Sequence, residues 1–307
     1  MALHPVIQSA LASAEGVPPY YSLPIAEARA QAKKGYDTNR SQVPVGSVQN
    51  ILIPGPAGTI AARIYTPPGS GPYPLLVFFH GSGFVMLDLD SHDDICRRLC
   101  AGAACVVASI DYRLAPEHKF PAGPDDCLAA TRWVAANAAQ LGGDAGRIAL
   151  AGDSAGGCLA AVTALRIRDE GGPPLRGQLL FYPVTDYPSF PTGSYLAFGT
   201  GFGLTQIGMQ WFWDQYLADS SMANHHHASP LRSSSSENLP STYLLTAEYD
   251  VLRDEGELFA QRLRDAGIPT VLRCCAGMNH GFLKYTGVIE EADAAMEHAC
   301  GWLKNVF

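Results

Sequence analysis

The fold of this chain is decided by the stretch Leu150-Ala151-Gly152-Asp153-Ser154-Ala155-Gly156-Gly157. A short apolar run of strand character precedes it, and residues 158–165 after it carry apolar side chains at helical spacing. Strand, tight turn and helix therefore meet at Ser154, and small neighbours let the two elements approach closely. A serine in this setting is strained, with its hydroxyl exposed at the carboxyl edge of a sheet. The pattern predicts a nucleophile, although an incidental serine in a small-residue turn would look the same.

Length and composition indicate an ordinary globular protein. The chain has 307 residues, 47% of them hydrophobic and 16% charged, which is enough to bury a large core. A formal net charge of −8 argues against nucleic acid or an anionic membrane as the main partner. No apolar run reaches the roughly 18 residues of a membrane span, and residues 1–14 lack the pattern of a secretory signal. We therefore expect a cytoplasmic protein.

Neither the cysteines nor the histidines form a pattern typical of metal sites. The eight cysteines lie mostly inside apolar patterns without paired C-x-x-C spacing, so we expect small buried hydrophobic residues. The run His225-His226-His227 is consecutive, and consecutive residues do not share a face, which favours a solvated loop over a metal site. We predict no metal and no other cofactor.

Apolar runs typical of strands alternate with helical patterns through most of the chain. The strand runs are residues 48–53, 59–65, 75–79, 105–110, 147–150, 179–184, 242–245 and 269–275. The helical patterns between most of them are residues 94–103, 125–140, 155–169, 253–266 and 288–307. Such alternation predicts an α/β fold, with a largely parallel sheet covered by helices on both faces.

Two segments depart from this alternation. Residues 1–45 contain short helical patterns separated by prolines and no strand, and residues 188–228 form a long insertion with an aromatic stretch at 211–216. We predict that both belong to a helical cap over the carboxyl edge of the sheet. The catalytic core would then consist of residues 46–187 and 229–307.

Two further residues complete the chemistry that a serine nucleophile needs. Serine requires a base, and the base requires an orienting acid; in enzymes with this turn the chain order is serine, acid, histidine. Asp250 follows a buried strand, and His280 lies in a glycine-bracketed loop after the next one. We predict Ser154 as nucleophile, His280 as base and Asp250 as orienting acid. Asp254 and Glu248 are the alternative carboxylates, the first in a helical first turn and the second still on the strand.

A tetrahedral oxyanion also needs fixed hydrogen-bond donors. The loop His80-Gly81-Ser82-Gly83-Phe84 follows an apolar strand and is small enough for backbone amides to turn inward. We predict the backbone N–H groups of Ser82, Gly83 and Ala155 as the oxyanion hole. A substrate pocket is predicted to be lined by Phe84, Phe198, Phe202, Leu204, Trp211 and Phe282.

Five blocks in this order resemble the bacterial hormone-sensitive-lipase-like carboxylesterases, a branch of the α/β-hydrolase fold. The blocks are His-Gly-Ser-Gly-Phe at 80–84, Asp-Tyr-Arg-Leu-Ala-Pro-Glu at 111–117, Gly-Asp-Ser-Ala-Gly at 152–156, Tyr-Asp-Val-Leu-Arg-Asp-Glu at 249–255 and His-Gly-Phe at 280–282. The resemblance covers roughly residues 45–307. The chain departs from the family at Ser82, where the family has glycine, and at Val251, where it usually has proline.

The resemblance implies an eight-stranded, mostly parallel sheet with a helical cap and the cofactor-free hydrolysis of short- to medium-chain acyl esters. An amidase or arylformamidase would use the same three residues. A catalytically silent small-molecule receptor, such as the plant gibberellin receptor, has the fold without the triad histidine, and His280 argues against it. The sequence predicts a small-molecule ester as partner and leaves the oligomeric state open, a homodimer included.

Overall fold

One eight-stranded sheet organises the computed structural model, which describes residues 2–36, 43–188 and 193–307. The strands follow the order β1-β2-β4-β3-β5-β6-β7-β8, antiparallel at the β1–β2–β4 edge and parallel from β4 to β8. Their bounds are β1 (Ser47–Gly55), β2 (Gly58–Thr66), β3 (Tyr73–Phe79), β4 (Val106–Asp111), β5 (Gly143–Asp153), β6 (Leu175–Phe181), β7 (Ser241–Tyr249) and β8 (Thr270–Asn279). The predicted mostly parallel sheet is confirmed.

Helices cover both faces of this sheet. They are α1 (Pro5–Ser13), α2 (Ile25–Lys34), α3 (Asp93–Ala103), α4 (Ala122–Ala136), α5 (Ala155–Glu170), α6 (Gly193–Phe198), α7 (Gln206–Tyr216), α8 (Arg253–Asp265) and α9 (Glu290–Val306). Side chains on β3 alternate between two cores: Leu75 and Val77 join the core that contains α4, α5 and α8, whereas Leu76 and Phe78 join the one with α3 and α9. A strand buried on both faces is therefore apolar at every position.

Two glycines allow α5 to begin directly against the sheet. A Cβ at Gly156 would fall inside contact distance of the Phe79 carbonyl oxygen, and a Cβ at Gly152 would collide with the backbone of Gly156. Neither collision can be relieved by a flexible side chain, because both partners are backbone atoms. The close contact between the end of β5, the start of α5 and the end of β3 therefore requires glycine at both positions.

Both strandless segments dock on the core through cations. Arg29 of α2 donates to the carbonyl oxygen of Val85 at 2.8 Å and to both carboxylate oxygens of Glu117 at 2.8 and 2.6 Å. The Lys119 ammonium donates to three carbonyl groups at the end of α7, including that of Leu217 at 2.9 Å. A cation at a helix C-terminus satisfies carbonyls that have no partner within the helix. The C-terminal end of α7 is thus fixed to the core.

The cysteines behave as small apolar residues, apart from Cys274 and the half-buried Cys275 on β8. All eight are free thiols, and six of them are buried. Cys274 is exposed because β8 is an edge strand, paired only with β7.

We predict opposite effects for alanine at two helical glycines. Gly156→Ala places its methyl group against the Phe79 carbonyl and should lower the free energy of unfolding by at least about 2 kcal/mol. Gly301→Ala in α9 meets no atom within 4 Å and should raise it by roughly 0.5–1 kcal/mol. Urea denaturation measures both; equal stability of the two variants would contradict the close contact.

Candidate active site

Ser154 has the strained backbone that the sequence predicts. Its φ of 55° and ψ of −120° lie in a region that residues with a Cβ rarely occupy. The conformation is held from both sides: the Ser154 N–H donates to the Phe181 carbonyl at 2.8 Å, and its carbonyl accepts from Val184 at 3.1 Å and Cys158 at 3.1 Å. The serine therefore stands between the end of β5 and the start of α5, at the carboxyl edge of the sheet.

A continuous chain of hydrogen bonds joins the three residues predicted to act together. His280 Nε2 lies 2.8 Å from Ser154 Oγ, and His280 Nδ1 lies 2.7 Å from Asp250 Oδ2. A carboxylate only accepts, so Nδ1 carries the hydrogen and Nε2 can accept from the serine hydroxyl. The other oxygen of Asp250 accepts from the Leu252 N–H at 3.0 Å, which fixes the carboxylate. Asp250 is only 2% exposed, which shields its bond to His280 from water.

The alternative carboxylates have other partners. Asp254 lies in the first turn of α8 and accepts from the Ser194 N–H at the start of α6, at 2.7 Å. Glu248 is on β7, as expected, and accepts from the Gly277 N–H at 2.7 Å, in the strand that leads to His280. Only Asp250 of these three carboxylates hydrogen-bonds to the histidine ring among the described residues.

The loop after β3 has an unusual backbone. Ser82, Gly83 and Phe84 have φ values of 84°, 66° and 65°, all in the left-handed region that favours glycine. Ser82 therefore carries the strain that its departure from the family pattern implies. Ala155 is the fully buried first residue of α5, where N–H groups have no partner within the helix.

Two residues brace this loop from opposite directions. His80 stacks on Tyr112 with ring centroids 4.5 Å apart, and the Tyr112 hydroxyl donates to the His80 carbonyl at 2.7 Å. Burial lowers the pKa of His80 to about 4, so its ring is neutral at pH 7. On the other side, Phe212 of α7 packs so closely on Gly83 that no side chain would fit there. The core and the inserted segment thus both hold the loop.

These groups open into one cavity with a volume of ≈190 Å³. The core supplies Ser82, Gly83, Met86, Asp153, Ser154, Val184, His280, Gly281 and Lys284. Residues 2–36 supply Tyr20 and Tyr36, and the inserted segment supplies Gly203, Leu204, Met209 and Phe212. Tyr20 and Gly203 line both this cavity and a surface groove of ≈580 Å³. The serine and histidine therefore lie on the side of the cavity formed by the core, and apolar side chains from the two strandless segments form the opposite side.

The structure places only one of the six predicted pocket residues, Leu204, in the wall of this cavity. Phe84 stacks on Tyr216 at 3.9 Å, Phe198 and Phe202 pack around Tyr249, and Phe282 packs on Tyr182. Trp211 lies instead against a separate outer groove with Tyr21 and Ile207. These five residues pack against other aromatic rings or the surface, because apolar character alone does not tell a cavity wall from a core.

Sequence reasoning missed most of the apolar wall. Met209 and Phe212 are three residues apart on α7, a spacing that puts them on one helical face and was available as a signal. The predicted residue Trp211 lies on a different face of α7, because the rotation of about 100° per residue turns it away from the cavity. Tyr20 and Tyr36 had no signal, because they lie in short irregular stretches at the ends of helical patterns.

The tyrosine hydroxyl groups in the wall of this cavity carry no charge at neutral pH. Burial raises the pKa of the Tyr20 and Tyr36 hydroxyl groups, which therefore stay protonated at neutral pH. Burial lowers the pKa of Lys284, at the edge of the same cavity. Within residues 2–36, 43–188 and 193–307, no group of three or more histidines, cysteines or acids could hold a metal ion. The arrangement suits nucleophilic attack by serine on a neutral carbonyl compound.

Comparison with known proteins identifies the family of this chain. The alpha/beta hydrolase fold family matches residues 76–284. Esterase LipI of Mycobacterium tuberculosis is 44% identical over 255 residues, covering 81% of this chain and 78% of LipI. Ethyl acetate hydrolase of Pseudomonas putida is 37% identical over 244 residues, covering 78% of this chain and 76% of that hydrolase. The chain belongs to the alpha/beta hydrolase fold family.

A solved structure extends the match to the whole hydrolase. The hyperthermophilic esterase from the archaeon Pyrobaculum calidifontis superimposes with a TM-score of 0.96 at 38% identity, covering 99% of each chain. The strandless segments of the hydrolase therefore have counterparts in that esterase. Because it shares its family and its fold with these esterases, the hydrolase is a carboxylic ester hydrolase of the hormone-sensitive-lipase-like branch. Among its described helices, none is both long and apolar enough to cross a membrane.

Proposed function

We propose that this hydrolase is a serine carboxylesterase that cleaves short- to medium-chain acyl esters through Ser154, His280 and Asp250. The observation that carries the proposal is the unbroken hydrogen-bond chain from the Ser154 hydroxyl through His280 to the buried Asp250 carboxylate, at the wall of a cavity of ≈190 Å³. Chain order and strand-end placement support the same assignment. The cytoplasmic location and the homodimer stay predictions.

Acylation follows from the positions of the hydrogens. His280 Nε2 takes the Ser154 proton as Oγ attacks the ester carbonyl carbon, and the carbonyl oxygen becomes an oxyanion. The backbone N–H groups of Ser82, Gly83 and Ala155 are the proposed donors to this oxygen. The imidazolium then gives its proton to the leaving alcohol, which produces the acyl-enzyme. Asp250 keeps the ring in the required tautomer throughout.

Deacylation repeats these steps with water. His280 takes a proton from water, whose oxygen attacks the acyl carbonyl; collapse of the second tetrahedral intermediate returns the proton to Ser154 Oγ and releases the acid. His280 returns each proton that it accepts, so the enzyme regains its starting state and the proposed cycle needs no cofactor.

The two strandless segments are proposed to form the cap that limits substrate size. They supply Tyr20, Tyr36, Leu204, Met209 and Phe212 to a cavity of only ≈190 Å³. A cavity of this size supports a preference for short acyl chains, with longer chains leaving through the adjoining groove. The catalytic core and the cap would then divide chemistry from selection.

We expect Ser154→Ala to fold normally and to lose at least about 10³-fold in kcat for nitrophenyl butyrate, because the triad acts as a unit. Ser229→Ala, a buried serine outside the cavity, should keep kcat within about twofold. Labelling by a serine-directed phosphonate should occur in the parent and be absent in Ser154→Ala. A folded Ser154→Ala protein with more than a tenth of the parent activity would overturn the assignment. An assay of the parent with a nitroanilide, which carries an amide in place of the ester, tests the amidase alternative directly.

Position 82 separates a backbone donor from a hydroxyl donor. Ser82→Gly and Ser82→Ala both keep the amide, so kcat should stay within about tenfold of the parent, whereas loss of an oxyanion donor typically costs about 10²- to 10³-fold. Because φ is 84°, Ser82→Gly should also stabilise the protein by about 1 kcal/mol, and Ser82→Ala should not. Steady-state kinetics and thermal unfolding measure these effects. A hundredfold loss in both variants would assign the hydroxyl to catalysis.

The cap predicts a change in chain-length preference. Met209→Ala removes a buried side chain from the cavity wall and should raise the octanoate-to-butyrate ratio of kcat/KM by about tenfold. Ile207→Ala is the matched control, since it lies on the same helix, is 60% exposed and lines only the outer groove. An unchanged ratio in Met209→Ala, or an equal change in both variants, would count against the cap.

A further inference from the structure

A buried carboxylate beside the proposed nucleophile has no role in the mechanism above. Asp153 directly precedes Ser154, is 5% exposed and lines the cavity. Its Oδ1 accepts from the Gly81 N–H at 2.9 Å. The fit is close, because a Cβ at Gly81 would lie 2.8 Å from the Asp153 carbonyl oxygen. The end of β5 is thereby joined to the loop that carries Ser82 and Gly83.

The second partner of this carboxylate is His92, which is 1% exposed. Its Nε2 lies 3.1 Å from Asp153 Oδ1 and forms its hydrogen bond to the other oxygen, Oδ2, at 3.4 Å. The Gly81 N–H is 3.4 Å from the same ring nitrogen, so its bond to the carboxylate at 2.9 Å is the better one. The ring nitrogen therefore donates to Asp153 rather than accepting from Gly81.

The other side of the His92 ring is fixed as well. Nδ1 lies 2.9 Å from Ser91 Oγ, which also lies 2.6 Å from the Asp88 carbonyl oxygen; with the ring hydrogen on Nε2, the serine hydroxyl is the group that can donate to Nδ1. The ring also stacks on Tyr36, with centroids 5.8 Å apart. A histidine held at both nitrogens and across its face has one orientation, as histidines in catalytic triads do.

An ionised carboxylate at this depth is costly unless it is well satisfied. Burial is the largest influence and would raise the pKa of Asp153, but His92, together with the more distant His80 and His280, lowers the pKa below its ordinary value. The carboxylate therefore stays charged at neutral pH. A core could avoid this cost with an apolar side chain, so the pair invites a functional explanation.

We propose that Asp153 and His92 are positioning residues. They hold the loop of residues 80–84, which carries the proposed oxyanion donors Ser82 and Gly83, at a fixed position relative to Ser154. The inference rests on the proposed function. Asp153 adjoins Ser154 in the chain and accepts a hydrogen bond from the Gly81 N–H. This one residue therefore connects the nucleophile to the loop with the proposed N–H donors. The loop needs such a tie, since three successive residues at positive φ are not stable by themselves. His92 keeps the carboxylate turned toward Gly81.

The test compares Asp153→Asn, His92→Gln and the double variant with the parent, using nitrophenyl acetate. We expect Asp153→Asn to lower kcat about 10²-fold and His92→Gln about tenfold, with KM within about threefold, because a displaced donor weakens only the transition state. The double variant should be no slower than Asp153→Asn, since residues that act as a unit are not additive. The rate of phosphonate labelling should fall in parallel with kcat.

A merely structural pair would behave differently. Gln178→Leu is the control: it removes a fully buried polar side chain that bonds to Thr242 on the neighbouring strand, and it should lower stability while keeping kcat within about twofold. All variants are assayed well below their unfolding midpoints. Asp153→Asn or His92→Gln with parental kcat, additive losses in the double variant, or a loss confined to KM would each overturn the inference.

Ser154→Ala, measured alongside, separates the two possible failures. If Ser154→Ala stays active, the proposed function fails. If Ser154→Ala is inactive while Asp153→Asn and His92→Gln keep the parental kcat, only the positioning inference fails.

Discussion

The close contact between the start of α5 and the end of β3 is the constraint on which the rest of the site depends. Gly156 lies against the Phe79 carbonyl, and Ser154, two residues before it, joins β5 to α5 with a φ of 55°. The same contact brings the loop after β3 beside the serine. Strain at one residue is thus stabilised by backbone packing that involves two strands and a helix, which is how strained functional residues persist.

Much of the site could be predicted from the sequence because topology limits where strand ends can lie. In a parallel sheet the carboxyl ends share one edge, so a serine after β5, an acid after β7 and a histidine after β8 must lie close together. Ser154 and His280 are 126 positions apart in the chain, yet their side chains are 2.8 Å apart. Periodicity locates the strands, and the strands locate the groups that follow them.

The cavity wall could not be predicted in the same way, since it depends on how helices without neighbouring strands are rotated. On α7, Phe212 lies in the wall and the adjacent residue, Trp211, lies outside it. That rotation is set by long-range contacts such as Lys119 on the carbonyl groups at the end of the helix, and no local pattern encodes them. Tyr20 and Tyr36 enter the wall for the same kind of reason.

The position of Ser82 depends both on the sheet and on the inserted segment. Glycine would adopt its φ of 84° without penalty, so the serine persists only because the loop is held from outside. Gly81 is bonded to Asp153 beneath it, and Gly83 is covered by Phe212 above it. The lower contact comes from the strand that carries the proposed nucleophile, and the upper one from the proposed cap. A change in the proposed cap can therefore reach the proposed donors of the oxyanion hole without passing through the substrate, because Phe212 touches both the cavity and Gly83.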